Sequence, residues 1–203
     1  MRTLAIDCAT ENCSAALFEG DVLVGSECAM LGRGHAEHLI PMIARLPHQG
    51  RADRIAVSLG PGSFTGVRIG LAAARALALA WGADVIGYPT LALIAAMARN
   101  EAGDQPVTVV MTGGHGEWFL QNFDAFGEPD APLASLRPQD ASNTANATLV
   151  AGSQAEALCA LRKKGHALPL LPDARQFPLL AEGVLVPEPA PLYGRPPDAK
   201  IPD

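Results

Sequence analysis

Gly60-Pro61-Gly62-Ser63-Phe64-Thr65-Gly66-Val67-Arg68-Ile69-Gly70 is the stretch from which the fold of this chain is read. It follows an apolar run, Ile55 to Leu59, and opens a long run of small and apolar residues from about Thr65 to Trp81. A strand, a glycine loop and a helix in that order bring helix N-terminal amides to a point where they can hold an anion. A Walker loop needs GxxxxGK(S/T), but Gly66 is followed by Val67-Arg68, with neither the lysine nor the metal-binding hydroxyl. The dinucleotide fingerprint needs GxGxxG, and after Gly60 and Gly62 the third glycine arrives one residue late, at Gly66. Pro61 removes one amide donor from the loop. The simpler reading is a tight strand-to-helix turn capped by Ser63 or Thr65, since helix caps favour hydroxyls.

Outward from this loop, Thr3 to Asp7 and Cys13 to Phe18 are short apolar runs, and Glu19-Gly20-Asp21 separates the second from Val22 to Gly25. Three short strands with tight polar turns read as an antiparallel meander. His35 to Leu46 carries Leu39, Met42, Ile43 and Leu46 at helical spacing, Val85 to Tyr88 is a strand, and Thr90 to Arg99 a helix. After Glu101-Ala102-Gly103-Asp104-Gln105-Pro106 the pattern restarts, with Val107 to Met111 and Trp118 to Phe123 around a glycine turn. The spacing predicts a duplicated α/β architecture, residues 1–102 and 103–203, each half opening with a β-hairpin. Residues 124–147 read as loop, 148–152 as a strand, and 154–164 as a helix with Leu158 and Leu161 inward. Prolines at 169, 172, 178, 187, 189, 191, 196 and 197 preclude long helices after Leu168. The tail is expected to cross the surface in extended form with its last residues frayed, leaving the second half short of a closing helix.

The 203 residues carry 15 Lys+Arg against 21 Asp+Glu, a formal charge of −6, and 49% are hydrophobic. That balance excludes disorder for most of the chain. An overall pI near 5.3 argues against a protein whose main task is gripping phosphate backbones by charge. Met1 to Asp7 reaches a carboxylate too early for a signal peptide, and the longest apolar stretch, around Ala76 to Ala83, falls far short of the roughly 20 residues that cross a bilayer. Of the four cysteines, Cys8, Cys13 and Cys28 lie in strand-like sequence, where a free Cys behaves as a small buried hydrophobe, and Cys159 completes a set without a CxxC. The expectation is a reduced, cytoplasmic protein without membrane contact.

Leu4-Ala5-Ile6-Asp7-Cys8-Ala9-Thr10, then Gly34-His35-Ala36-Glu37-His38-Leu39-Ile40-Pro41, the Gly60 to Gly70 stretch and the closing Pro191-Leu192-Tyr193-Gly194-Arg195 together resemble the TsaB (YeaZ) family. That family belongs to the bacterial machinery making threonylcarbamoyladenosine in tRNA. The likeness is dense over residues 1–100 and thin afterwards. It implies an α/β fold of the actin/Hsp70/sugar-kinase (ASKHA) type, made of two related halves. It implies a non-catalytic scaffold that pairs with the catalytic paralogue TsaD through helices of the first half. The ATPase TsaE joins that complex, and tRNA is met only through it. On that reading the chain holds no catalytic residue, no metal and no tightly bound cofactor, with ATP or ADP expected near the surface shared with TsaD. When the chain is alone, a homodimer through the same surface and a monomer are both open, the first because apolar helices rarely stay exposed to water. Thr112-Gly113-Gly114-His115-Gly116-Glu117-Trp118 departs from the family's Asp-Ala-Arg-like segment at this position.

Single residues weigh the alternatives. Kinases and ATPases of this fold use an Asp-x-Gly-Thr/Ser hairpin, whose glycine lets phosphate approach the backbone; here Ala9 adds a Cβ. Asp7, Gly60, Gly62, Ser63 and Gly66 are the candidate nucleotide-binding positions, and an independent ATP-dependent phosphotransferase built on them is the alternative function. A polar turn residue is the simpler reading of Asp7. His35 and His38 with Glu37 between them invite a metal-dependent peptidase, but HExxH is absent and a polar first helical turn explains the same residues. The candidate partner surface is Leu39, Met42 and Ile43 on one helix and Leu71, Arg75 and Leu79 on the next, with Met42 and Leu71 exposed. A helix buried on most of its circumference is the competing reading of the second.

Overall fold

A computed structural model describes residues 1–194, so Arg195, Pro196, Pro197 and the frayed end expected after them lie outside the described residues. Arg2–Asp7 (β1), Asn12–Glu19 (β2) and Val22–Met30 (β3) form the antiparallel meander. His35–Arg45 (α1), Arg54–Ser58 (β4), Phe64–Trp81 (α2), Asp84–Tyr88 (β5) and Thr90–Ala102 (α3) follow. The strands make one five-stranded sheet in the order β3-β2-β1-β4-β5, with β4 parallel to β1 and β5 parallel to β4.

The second half is Val107–Thr112 (β6), Trp118–Phe123 (β7), Ala134–Leu136 (β8), Pro138–Thr144 (α4), Leu149–Ala151 (β9), Ala155–Arg162 (α5) and His166–Leu168 (β10). Its sheet runs β8-β7-β6-β9-β10 when traced from the meander, with the same antiparallel and parallel pairs in the same places. Two copies of one topology are the ASKHA architecture, each opening with its hairpin.

The helices on the first sheet bury the stripes that their periodicity defines. Leu39, Met42 and Ile43 of α1 and Val67, Leu71, Ala74 and Ala78 of α2 join Leu4, Ile6, Ile55 and Val57 in one core. Met42 and Leu71 are 2% and 3% exposed, which corrects the expectation that they face solvent. Leu39 and Ile43 are likewise sealed against the sheet, because both helices need that stripe to dock. The outward faces carry Ile40, Pro41 and Ala44 on α1 and Ala72, Arg75, Ala76, Leu79 and Ala80 on α2, with Leu79 89% exposed. α2 has the length and apolarity of a membrane-spanning helix by composition, more than the stretch around residues 76–83 suggested. It nevertheless carries Arg68 and Arg75, and its buried stripe rests on the sheet. Ser63 caps its start by accepting the Gly66 N–H, and Gly82, at φ 69°, ends it in the left-handed conformation.

Residues 124–147, expected as loop, hold β8 and α4. In α5, Leu158 is buried as expected, but Leu161 is 43% exposed. The tail departs furthest. The other face of the first sheet is apolar, with Ala5, Ala16, Phe18, Ala56 and Tyr88, and Leu93 of α3 covers only part of it. The chain returns to cover the rest, in a 3-10 turn over Ala174–Leu179. Ala174 is fully buried, and the Phe177 ring lies 6.3 Å from Phe18 and 5.8 Å from Tyr88. Val186 bridges to Gly87, and the Leu192 N–H donates to the Leu59 carbonyl at 2.8 Å. The prolines do exclude an α-helix after β10 among the described residues, but the tail is a packed return and not a surface strand.

Candidate functional site

The two hairpin turns face each other across the gap between the sheets. Ala9, Thr10 and Glu11 of the first, Thr112 to His115 of the second, Gly62, Ser63, Phe64, Val67 and Arg68 of the α2 entry, Ser153 and the returning Leu192 to Gly194 line a cleft of about 860 Å³. That size suits a small-molecule site. At its mouth the Arg68 guanidinium sits 3.5 Å over the Phe64 ring and donates to the Tyr193 hydroxyl at 2.9 Å. The Phe64 and Tyr193 ring centroids are 5.9 Å apart, so a cation held over aromatic faces fastens the tail beside the cleft. Phe64, Arg68 and Tyr193 were not singled out in the sequence. Phe64 and Arg68 are one helical turn apart, a readable signal, but Tyr193 reaches them only through the return of the tail.

Of the candidate nucleotide-binding positions, Gly62 and Ser63 line the cleft, whereas Gly60, Gly66 and Asp7 lie beneath its surface. The loop is packed on the first hairpin turn, backbone against backbone. The Ser63 N–H donates to the Ala9 carbonyl at 2.7 Å, and the Gly66 N–H to Ser63 Oγ at 3.2 Å. A Cβ on Gly62 would be driven into the Ala9 carbonyl and one on Gly66 into the Cys8 carbonyl. These glycines therefore serve a close approach of two backbone segments. With two amides committed, none on Pro61 and the Ala9 Cβ at the turn, the loop does not fit a phosphate cradle.

Asp7 is fully buried. Its Oδ1 accepts the Ala9 N–H at 2.9 Å, and Tyr88 OH lies 3.3 Å from Oδ2 and 2.9 Å from the Ile6 carbonyl. Burial pushes the Asp7 carboxyl up to about 6, against the hydrogen bonds from Ala9, Ser58 and Tyr88 that favour the anion. The Tyr88 O–H has two acceptors, the Ile6 carbonyl and Asp7 Oδ2; when Asp7 is protonated it can donate to the Tyr88 oxygen instead, leaving the O–H to Ile6.

The two histidines are directed apart. His35 is 4% exposed with Nε2 2.8 Å from the Thr10 carbonyl, and exposed His38 has Nδ1 2.8 Å from the Gly34 carbonyl. Among the described residues no three His, Cys, Asp or Glu side chains gather as a metal site. Cys28, expected to be buried, is exposed on β3, whereas Cys8 and Cys13 are buried. The Gly113 N–H donates to the Glu117 carbonyl at 2.8 Å, closing the second turn as a hairpin bend.

Gly66→Ala should lower unfolding stability by about 3 kcal/mol, since the added methyl meets backbone that cannot step aside, whereas Gly183→Ala, in open space, should stay within about 0.5 kcal/mol; denaturant midpoints compare them. Asp7 generates a pH dependence. The native state holds a proton that the unfolded chain releases near 3.8, so this contribution is complete below that pH and is lost as pH rises through about 6. Asp7→Asn keeps an acceptor for Ala9 and a donor for Tyr88. It should stabilise the chain by about 3 kcal/mol at pH 8, with the gain vanishing at pH 4 in melts across that range.

Comparison with known proteins gives a consistent answer. A family model described as TsaD, tRNA N6-adenosine threonylcarbamoyltransferase, matches residues 29–169. The tRNA threonylcarbamoyladenosine biosynthesis protein TsaB of Escherichia coli is 38% identical over 128 residues, which cover 61% of this chain and 55% of that protein. The chain thus spans about half the length of the curated relatives it matches. Two solved Pseudomonas aeruginosa structures extend the likeness over the whole fold. One, described as an uncharacterized protein with similarity to peptidase YEAZ, superposes with a TM-score of 0.82 at 28% identity, covering 96% of this chain and 99% of its own. The other, YeaZ, gives a TM-score of 0.80 at 28% identity, covering 95% and 99%. The chain belongs to the family of that model and, within it, to the TsaB (YeaZ) group.

Proposed function

We propose that this chain is a non-catalytic subunit of tRNA threonylcarbamoyladenosine biosynthesis, a scaffold that pairs with TsaD and, with it, TsaE to support threonylcarbamoyl transfer to adenosine in tRNA. The observation that carries the reading is the packed junction between the first hairpin turn and the α2 entry. Where an enzyme of this fold needs a backbone cradle, Ser63 and Gly66 hold their amides inward and Gly62 and Gly66 rest on carbonyls. Asp7 lies sealed under Tyr88, at no distance from which it could meet a substrate in the cleft. Chemistry is thereby assigned to a partner, and the working part of this chain is its surface.

That surface is the outer face of α1 and α2. Ala72, Ala76 and Ala80 keep it low, and Ile40 and Leu79 stand out of it at 46% and 89% exposure. Small residues let a second helix approach, and the two large ones offer anchors. In this reading Leu79 and Arg75 contact TsaD, while Leu39, Met42, Ile43 and Leu71 support the face from within. The same face closes a homodimer when TsaD is absent. The chain works in the cytoplasm, binds no cofactor tightly, meets tRNA through the complex, and has ATP or ADP near the surface shared with TsaD.

The test is threonylcarbamoyladenosine formation on tRNA by purified TsaD, TsaE and threonylcarbamoyl-adenylate, with and without this chain. Strong dependence on the chain is expected, and Leu79→Glu should weaken pairing with TsaD at least about tenfold while leaving the melting temperature unchanged. An active mixture indifferent to the chain would instead favour an independent phosphotransferase.

A further inference from the structure

We infer that Cys8 and Cys13 are a disulfide-forming pair, a reversible oxidation site under the first hairpin turn that takes a hydroperoxide as its oxidant. β1 and β2 register Asp7 against Ser14, so the next step toward the turn sets Cys8 against Cys13. Their sulfurs are 3.7 Å apart, within reach of a thiol hydrogen bond, and both side chains are buried in one core. Facing residues of an antiparallel pair have Cα separations of about 4.5–5.5 Å. That range lies inside the roughly 4.4–6.8 Å a disulfide spans, so side-chain rotation can bring the sulfurs to about 2.05 Å.

The neighbours make the pair specific. Cys28 pairs with Ser14 on β2 and therefore projects from the sheet face opposite to Cys13, where its Sγ donates to Asn12 Oδ1 at 3.1 Å. Cys159 belongs to α5 of the other half. Ala9, Thr10 and Glu11, between the paired cysteines in sequence, are walls of the cleft, so the buried pair, 1% and 0% exposed, lies at the two ends of the segment that forms one wall. The thiol hydrogen bond can run in either direction, so either sulfur can attack first; in one route Cys13 attacks and Cys8 resolves, and both routes close the same bond.

In that route the Cys13 thiolate attacks one oxygen of the hydroperoxide. The O–O bond breaks, that oxygen remains on sulfur as a sulfenic acid, and the leaving oxygen takes up the proton that Cys13 released. The Cys8 sulfur then attacks the sulfenic sulfur, the S–O bond breaks, and hydroxide leaves as water with the Cys8 proton. Two thiols give up two electrons, and the hydroperoxide is reduced by the same two. The bond closes inside the turn on which α2 rests, because the Cys8 carbonyl is the atom that Gly66 packs against. Oxidation therefore stiffens one wall of the cleft while the fold is kept.

The experiment treats the full-length chain with hydrogen peroxide, unfolds and alkylates it, and cleaves after glutamate. Free thiols are expected to fall from four to two, and fragments 1–11 and 12–19, separated by the cut after Glu11, should stay joined until dithiothreitol parts them. Cys28→Ser should give the same link, and Cys8→Ser or Cys13→Ser should abolish it. The wild-type fragment map decides without any variant. Four thiols surviving millimolar peroxide, a link through Cys28 or Cys159, or a bond between two chains would each overturn the assignment.

Discussion

The carbonyl oxygens of Cys8 and Ala9 lie against the loop that opens α2, and most of the first half is arranged around that contact. Glycine at 62 and 66 is required there because the approach is tighter than any Cβ allows. Once the loop is seated, Ser63 is positioned to cap α2, and the helix leaves at an angle that lays Val67, Leu71, Ala74 and Ala78 on the sheet. Beneath the same turn, Asp7 is enclosed with Tyr88, and that burial pushes its carboxyl up to about 6.

This contact also separates architecture from chemistry. The duplicated topology brings two hairpin turns to the sides of a cleft, the arrangement in which the fold can hold a ligand. In this chain the inner wall of the cleft is packed on its own backbone, and Arg68, Phe64 and Tyr193 line the mouth. The outside of α1 and α2 is a low, largely apolar face whose most exposed large residue is Leu79.

Much of the fold was legible in the sequence, since alternation and helical spacing mark where an element is apolar. The first meander, the hairpin that opens the second half, the glycine loop and α1 to α3 were read near their observed positions, with β3 running five residues past Gly25 and β8 unread. Periodicity does not say what covers an apolar stripe, which is why Leu39, Met42, Ile43 and Leu71 read as partner surface although their own sheet buries them. The tail was opaque for a related reason. Its prolines rule out an α-helix but do not reveal that Phe18 and Tyr88, far earlier in the chain, need Phe177 as cover. The site itself was half legible. Asp7 at the first hairpin turn and the glycines at the α2 entry were grouped as candidate nucleotide-binding positions, but the inward orientation of that loop depends on a contact between segments some fifty residues apart.

The central claim is that the phosphate-cradle position of this fold is filled by the chain's own backbone. The most direct test is calorimetric titration of the full-length chain, alone, with ATP and magnesium. The account predicts no saturable heat up to about 1 mM nucleotide, which corresponds to binding weaker than about −4 kcal/mol. A single saturable site with a Kd of about 10 μM or tighter, about −7 kcal/mol, would contradict it.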